Sequence, residues 1–194
     1  MILIKHNIIF QHVQKTGGTT LHKLFQFSPN IGTLLKPCGM HFRMTDLLQF
    51  SEFDFNEYET ITIKRNPWDR LASFHIDSVR HYDLEIVPNV PVPWFNYFAG
   101  LKEFDDMVDK LFVDGEIVPN LTMFDFDDLQ NQVCPWWRDR FGYDLWGLPR
   151  LNTKPEQKYI DLRMEMVNDE RFDEQVRRLC HREIDYFDWE RPVY

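Results

Sequence analysis

The chain has 194 residues, a formal net charge of −9 and three cysteines. Its negative charge disfavours non-specific nucleic-acid binding. An odd, sparse set of cysteines without a CxxC pair predicts free thiols in a reducing compartment, with no zinc site and no other metal site. No apolar run approaches the ~20 residues of a membrane helix, and no signal peptide is evident. We therefore expect one cytoplasmic domain over residues 1–194, with no membrane or nucleic-acid partner; the oligomeric state is left open.

The charge is uneven along the chain. Residues 1–80 hold nine Lys and Arg against seven Asp and Glu, whereas residues 81–194 hold 13 against 24. A polyanionic ligand would therefore prefer the first part of the chain. The acidic second part is typical of a well-solvated helical surface.

Apolar strands alternate with amphipathic helices in the first part of the chain. The predicted elements, in order, are strands at 2–4 and 8–10, a glycine turn at 17–18, a helix at 19–25, a loop at 28–39, a short helix at 45–50, a strand at 60–64 and a helix from 69 to 79. This alternation predicts an α/β fold with a mostly parallel central sheet flanked by helices.

The second part of the chain contains fewer strand patterns. The predicted elements are a loop or lid at 83–100, an amphipathic helix at 104–112, a strand at 121–126, a short helix at 127–133, an irregular aromatic stretch at 136–149 and a long polar helix at 155–180. No internal repeat or low-complexity tract interrupts them.

The most informative stretch is Lys-Thr-Gly-Gly-Thr-Thr at 15–20, between the strand at 8–10 and the following helix. Glycines let the backbone approach a phosphate closely, and a helix N-terminus supplies oriented N–H groups with a partial positive charge. A lysine adds a point charge, and threonines add hydroxyl donors. The candidate phosphate-binding residues are Lys15, Thr16, Gly17, Gly18, Thr19 and Thr20.

This loop differs from a Walker A loop, in which the lysine follows the last glycine. Here Lys15 precedes Gly17 and Gly18. The order strand, Lys-Thr-Gly-Gly-Thr, helix resembles the 5′-phosphosulfate loop of the carbohydrate-type sulfotransferases that use 3′-phosphoadenosine 5′-phosphosulfate (PAPS). In that family the residue before the lysine is usually Pro, and here it is Gln14. The resemblance implies a P-loop-like three-layer domain.

A second stretch, Arg65-Asn-Pro-Trp-Asp-Arg-Leu-Ala-Ser73, resembles the 3′-phosphate motif of the same family. Arg65 ends a predicted strand, where open α/β sheets place their ligands, and its guanidinium fork suits a phosphate. Ser73 lies about two turns into the next helix and would add a hydroxyl donor. Asp69 and Arg70 have an alternative structural role, as a helix cap and an ion-pair partner.

A later stretch, Leu148-Pro-Arg-Leu-Asn-Thr-Lys154, resembles the family loop that closes over the donor. By that resemblance, Arg150 and Lys154 would contact donor phosphates. A plain surface loop is the alternative.

His41 is the candidate general base among seven histidines. The stretch Cys38-Gly-Met-His-Phe-Arg-Met-Thr-Asp-Leu47 resembles a segment of the heparan sulfate 6-O-sulfotransferases in which the histidine is the proposed base. Histidine is also the usual base near neutral pH. Of the other histidines, His12 lies at the start of the loop, and we expect it to be structural or to support the site indirectly.

The resemblance implies transfer of a sulfuryl group from PAPS to a hydroxyl, with His41 as base and Lys15 stabilising the leaving phosphate. It implies a saccharide acceptor, adenosine 3′,5′-bisphosphate as product and no metal. The alternatives are a P-loop-type small-molecule kinase, a non-catalytic nucleotide- or glycan-binding protein that retains the fold, and a structural assembly protein.

Overall fold

The computed structural model describes residues 2–3, 6–28, 34–35, 41–49, 54–81, 98–101, 104, 106–145, 147–148 and 156–194. They belong to two compact units, each made from two stretches of chain. The first unit is Met1–Arg65 with Met107–Leu151, and the second is Asn66–Asp106 with Asn152–Tyr194. A single domain over 1–194 stays a prediction.

A five-stranded sheet forms the centre of the first unit. The strands are β1 (Ile2–Leu3), β2 (Ile8–Gln11), β3 (Leu34–Leu35), β4 (Glu59–Lys64) and β7 (Leu121–Asp125), in the spatial order β3-β1-β2-β4-β7. β2, β4 and β7 are parallel, whereas β1 is antiparallel to both of its neighbours. The fold is therefore α/β with a parallel core to the sheet, as the alternation of elements predicts.

The two faces of the sheet follow from the two-residue period of a strand. Ile8, Phe10, Ile61 and Ile63 belong to one apolar cluster, which includes buried residues of the helices α1 (Gly18–Phe27) and α4 (Leu129–Phe141). Ile9 belongs to a different cluster with Phe42, Met44 and Leu47. Met44–Gln49 forms a 3-10 helix, at the place where a short helix is predicted.

Helix α4 corrects the prediction of an irregular stretch at 136–149. Trp137 is fully buried and Pro135 lies inside the helix, which continues to Phe141. Burial of the tryptophan in the apolar cluster outweighs the cost of an interior proline. The helix ends at Gly142, whose left-handed backbone lets its N–H reach the Arg138 carbonyl at 2.8 Å.

A second small sheet replaces the end of the helix predicted at 104–112. Helix α3 covers only Met107–Leu111, and a hairpin of β5 (Phe112–Val113) and β6 (Glu116–Ile117) follows. Its turn residues Asp114 and Gly115 both have positive φ, at 53° and 84°. Asp-Gly is a strong hairpin signal, so this turn was open to detection in the sequence.

The second unit is helical among the residues described. It contains α2 (Pro67–His81), α5 (Gln157–Asn168) and α6 (Glu170–Phe187). The single long helix predicted at 155–180 is thus wrong, because Asp169 separates two helices. Its carboxylate accepts the Arg171 N–H at 2.8 Å and caps α6.

Helix α2 begins at Pro67, two residues before the predicted start at 69, with proline in the first helical position. The side chain of Asn66, rather than that of Asp69, accepts the Trp68 N–H at 3.1 Å. Among the described residues, no helix is long and apolar enough to cross a membrane. Cys134 and Cys180 are free thiols, and Cys38 lies outside the described residues.

Candidate functional site

The loop from His12 to Gly17 connects the carboxyl end of β2 to the N-terminus of α1. Lys15 has a φ of 61°, which is uncommon for a residue with a side chain, and Gly17 has a φ of 82°. Helix α1 then begins at Gly18, with no side-chain cap and no acidic residue in its first turn. This N-terminus therefore offers backbone N–H groups and a positive dipole end next to the Lys15 backbone.

The two glycines of the loop are required for different reasons. At Gly17, besides the positive φ, a Cβ would lie 2.9 Å from the Phe126 ring. At Gly18, a Cβ would lie 2.0 Å from Cδ2 and 2.4 Å from Nε2 of His12. A Cβ at either position would force the neighbouring ring to move, so the packing of Phe126 and His12 favours glycine at these positions.

The three threonines of the loop have different surroundings. Thr16 is buried, and its hydroxyl donates to the Val13 carbonyl at 2.9 Å, so this side chain stabilises the loop itself. Thr19 is exposed and Thr20 is half-buried. The Thr20 N–H already donates to the Gly17 carbonyl at 3.0 Å. The structure thus favours a hydroxyl contact with a ligand from Thr19 or Thr20 over one from Thr16.

Arg65 lies beside the loop, although it is 50 residues away in sequence. Its NH1 group donates to the Lys15 carbonyl at 2.9 Å, and its guanidinium lies 4.1 Å from the centre of the Phe126 ring. Because Phe126 also packs against Gly17, the aromatic ring joins Arg65 to the loop. A guanidinium carries five N–H donors, so bracing the loop and binding a phosphate are compatible roles.

Ser73 lies on α2 in the second unit and is half-buried. Arg150 and Lys154 lie outside the described residues, as do residues 36–40 before His41 and most of the lid predicted at 83–100. Of the aromatic side chains, Trp137 is buried in the core and Trp136 packs against that core, so neither forms an open platform.

His41 lies next to the start of the loop. Its Nδ1 is 3.0 Å from the backbone carbonyl oxygen of His12, and the two imidazole centres are 4.6 Å apart. A carbonyl oxygen only accepts hydrogen bonds, so Nδ1 must carry the proton. In neutral His41 the lone pair is then on Nε2, which is the atom able to accept a proton from a bound alcohol.

His12 is 7% exposed and lies beneath the N-terminus of α1. Burial, together with the neighbouring imidazole of His41, lowers the pKa of His12 to about 3. His12 is therefore neutral at physiological pH and is not suited to act as the base. The His12 carbonyl contacts the His41 ring, and the His12 ring packs against Gly18; an indirect role for His12 stays a prediction.

Three residues around the site have no sequence signal that identifies them. Gln11 is fully buried and donates from Nε2 to the Phe42 carbonyl at 2.5 Å. Lys110 is 5% exposed, and its ammonium donates to the His41 carbonyl. With Phe126, these residues contact the candidate site through tertiary packing that no local spacing encodes.

Comparisons of the chain with protein-family models, with curated proteins and with solved structures find no match. Inferences about activity therefore depend on the geometry of this site and on its motifs.

Proposed function

We propose that the protein is a sulfotransferase that moves a sulfuryl group from PAPS to a hydroxyl acceptor. The observation that carries the proposal is the meeting of three distant segments at the carboxyl end of β2. The loop at 15–20, Arg65 and His41 are joined there by the two hydrogen bonds to the Lys15 and His12 carbonyls. Open parallel sheets bind ligands at this edge, and the three segments are those that resemble the donor and base motifs of the family.

The donor side of the site suits a phosphosulfate. The N–H groups at the start of α1 and the Lys15 ammonium would hold the 5′-phosphosulfate, and Arg65 would hold the 3′-phosphate. A backbone strained at Lys15 is typical of functional loops, and here the Arg65 hydrogen bond holds it in place. The succession of β2, glycine loop and α1 is compatible with a P-loop-like domain.

The reaction would be an in-line displacement at sulfur. The acceptor oxygen forms a bond to sulfur while its proton passes to His41 Nε2. The bond between sulfur and the bridging phosphate oxygen breaks, and adenosine 3′,5′-bisphosphate leaves. Lys15 and the loop N–H groups would stabilise the negative charge that develops on that oxygen, because they are fixed before the reaction begins.

A saccharide hydroxyl is the acceptor that the resemblance favours. The net charge of −9 argues against a highly sulfated polymer, because like charges would repel it. We therefore propose an acceptor of low negative charge.

Calorimetric titration and thermal shift test the donor site. We expect adenosine 3′,5′-bisphosphate to stabilise the protein more than AMP or ATP–Mg²⁺. Lys15→Ala and Arg65→Ala should each weaken its binding by roughly 10- to 100-fold, since each removes a charged contact to phosphate. Lys23→Ala, which removes an exposed lysine from α1, is the matched control and should bind as the wild type does.

Three results would contradict this proposal. Stabilisation by ATP–Mg²⁺ alone would favour a kinase, and no stabilisation by any of the three nucleotides would remove the donor site altogether. Bisphosphate binding without transfer to any hydroxyl acceptor would favour a non-catalytic binding protein. His41→Ala should bind the bisphosphate normally and transfer no sulfuryl group; retained turnover in this variant would exclude His41 as the base.

A further inference from the structure

The segment His41–Phe42 is tethered by three polar contacts from elsewhere in the first unit. The Lys110 ammonium donates to the His41 carbonyl, and Gln11 Nε2 donates to the Phe42 carbonyl at 2.5 Å. The His12 carbonyl accepts from the His41 ring at 3.0 Å. The carbonyls of His41 and Phe42 and the His41 ring are thus bound by α3, by the last residue of β2 and by the loop that follows β2.

The two donors, Lys110 and Gln11, are side chains whose burial is energetically unfavourable. Lys110 is 5% exposed and Gln11 is fully buried. Lysine is rarely buried to this extent, because removing an ammonium from water is strongly unfavourable unless other groups compensate for the lost hydration. An aliphatic side chain of similar length would fill either position at lower cost. Their presence therefore indicates a role that apolar packing does not fulfil.

Apolar packing alone would leave the orientation of this segment less defined. Phe42 is 2% exposed and is inserted in the cluster that contains Met44 and Leu47, which fixes its position. The orientation of the peptide groups depends on their carbonyls. Because both carbonyls are bound, the Cα–Cβ bond of His41 has a defined direction, which allows Nδ1 to reach the His12 carbonyl and leaves Nε2 on the opposite side of the ring.

We propose that Lys110 and Gln11 are positioning residues that hold His41 in one orientation and one tautomer for proton transfer. The catalytic meaning of this assignment rests on the proposed function, whereas the positioning itself does not. A base held within hydrogen-bond reach of its substrate contributes strongly to rate, and small displacements reduce that contribution.

The test is nitrogen NMR of the histidine side chains, with His41 assigned by its absence in His41→Gln. In the wild type, His41 should show one protonated-type nitrogen, Nδ1, and one lone-pair-type nitrogen, Nε2. Lys110→Met and Gln11→Met should each shift both nitrogens toward averaged values, as the tautomers mix. Unchanged His41 resonances in both folded variants would overturn the proposal.

The matched control is Arg140→Met. Arg140 also donates to a backbone carbonyl of the first unit, that of His6, which precedes β2 rather than following it. This variant should leave the His41 resonances unchanged; a change equal to that in Lys110→Met would mean that any lost tether disturbs the site, which would overturn the proposal. If Lys110→Met does not fold, Lys110→Arg keeps the charge, and its longer fork should still shift the resonances.

Kinetics add a readout that separates positioning from stability. In Lys110→Met we expect turnover to fall at least tenfold while the bisphosphate dissociation constant stays within twofold of the wild-type value. Equal turnover in the two proteins would contradict the positioning role. If the wild type binds no bisphosphate, the proposed function fails, and the NMR result still decides whether Lys110 and Gln11 position His41.

Discussion

The two compact units use their buried polar side chains in different ways. In the first unit, the buried Lys110 and Gln11 and the half-buried Arg65 donate to backbone carbonyls of loops at the carboxyl end of β2. In the second unit, Arg70 is paired with Glu183 at 2.5 Å, and both side chains are fully buried. These three side chains of the first unit bind loop backbone, whereas Arg70 and Glu183 of the second unit join α2 to α6. The first arrangement is suited to a site, and the second to stability.

The residues of one continuous stretch, 65–70, have these two different roles. Arg65 contacts the loop of the first unit, whereas Arg70 is an internal ion-pair partner in the second. Asp69 accepts from Arg163 at 2.7 Å and from the Tyr194 hydroxyl at 2.6 Å, so it too has a structural contact. The stretch at 65–73 resembles a phosphate-binding motif, but its residues Asp69 and Arg70 make contacts that stabilise the second unit.

The largest effect that we expect is in the second unit. Arg70→Met removes the cation that pairs with the buried Glu183 carboxylate, so the free energy of unfolding should fall by about 3–5 kcal/mol. The measurement is denaturant unfolding. Adding Glu183→Leu to Arg70→Met should recover most of the loss, because the pair is then replaced by apolar side chains.

Arg177→Met is the control for this ion pair. Arg177 lies on the same helix, α6, and pairs with Asp173 at 2.9 Å, but its side chain is 56% exposed. Its loss should cost about 0.5 kcal/mol or less. Equal costs for Arg70→Met and Arg177→Met would mean that the buried pair does not stabilise the second unit.

The next effect concerns the packing of the loop in the first unit. Gly18→Ala places a Cβ 2.0 Å from the buried His12 ring, so we expect a loss of about 2–3 kcal/mol in unfolding free energy, together with weaker bisphosphate binding. Gly100→Ala in the second unit meets no atom within 4 Å and should change stability by about 0.5 kcal/mol at most.

A double-variant cycle locates the cause of the Gly18 effect. In a His12→Ala background, Gly18→Ala should lower the free energy of unfolding much less than it does in the wild type, because the imidazole ring that clashes with the new Cβ is absent. Additive costs in unfolding free energy would show that the contact between Gly18 and His12 is not the reason for glycine at this position.

Much of the fold was predictable because its signals are local. β2 is a mostly apolar run and β4 alternates Thr with Ile, and Gly17 lies in the turn before a helix with regular apolar spacing. The break at Asp169 gave no clear signal, because it interrupts a polar helical surface where apolar spacing carries little information. The Asp114-Gly115 turn did carry a signal, although the strands that it joins have only two residues each.

The candidate site was predictable where chemistry depends on residue type and order. Lys15, Arg65 and His41 stand in recognisable local sequences, and the fold brings them together. Lys110 stands in a short stretch that resembles any charged helix, and Gln11 ends a strand, where polar residues are common. Only the tertiary structure shows that both are buried, so their contacts with the His41–Phe42 segment were not predictable.

The smallest of the expected effects compares one buried histidine from each unit. Burial lowers the pKa of His75 to about 4, and burial with the neighbouring His41 lowers that of His12 to about 3. Both stay neutral in the folded protein at pH 5, whereas an unfolded histidine binds a proton near pH 6.5. These two histidines therefore leave stability unaffected above pH 6.5 and lower it as the pH decreases, by about 2 kcal/mol for each histidine at pH 5.

His12→Gln and His75→Gln should each flatten this fall in stability, measured as unfolding free energy at pH 8, 6.5 and 5. His181→Gln, which removes an exposed histidine from α6, is the control and should keep the wild-type slope. Bisphosphate binding then distinguishes the two histidines. His12→Gln should weaken bisphosphate binding, because the His12 ring packs against Gly18, whereas His75→Gln should leave the binding unchanged. Equal binding in both variants would mean that the buried histidine of the first unit serves stability alone, as that of the second does.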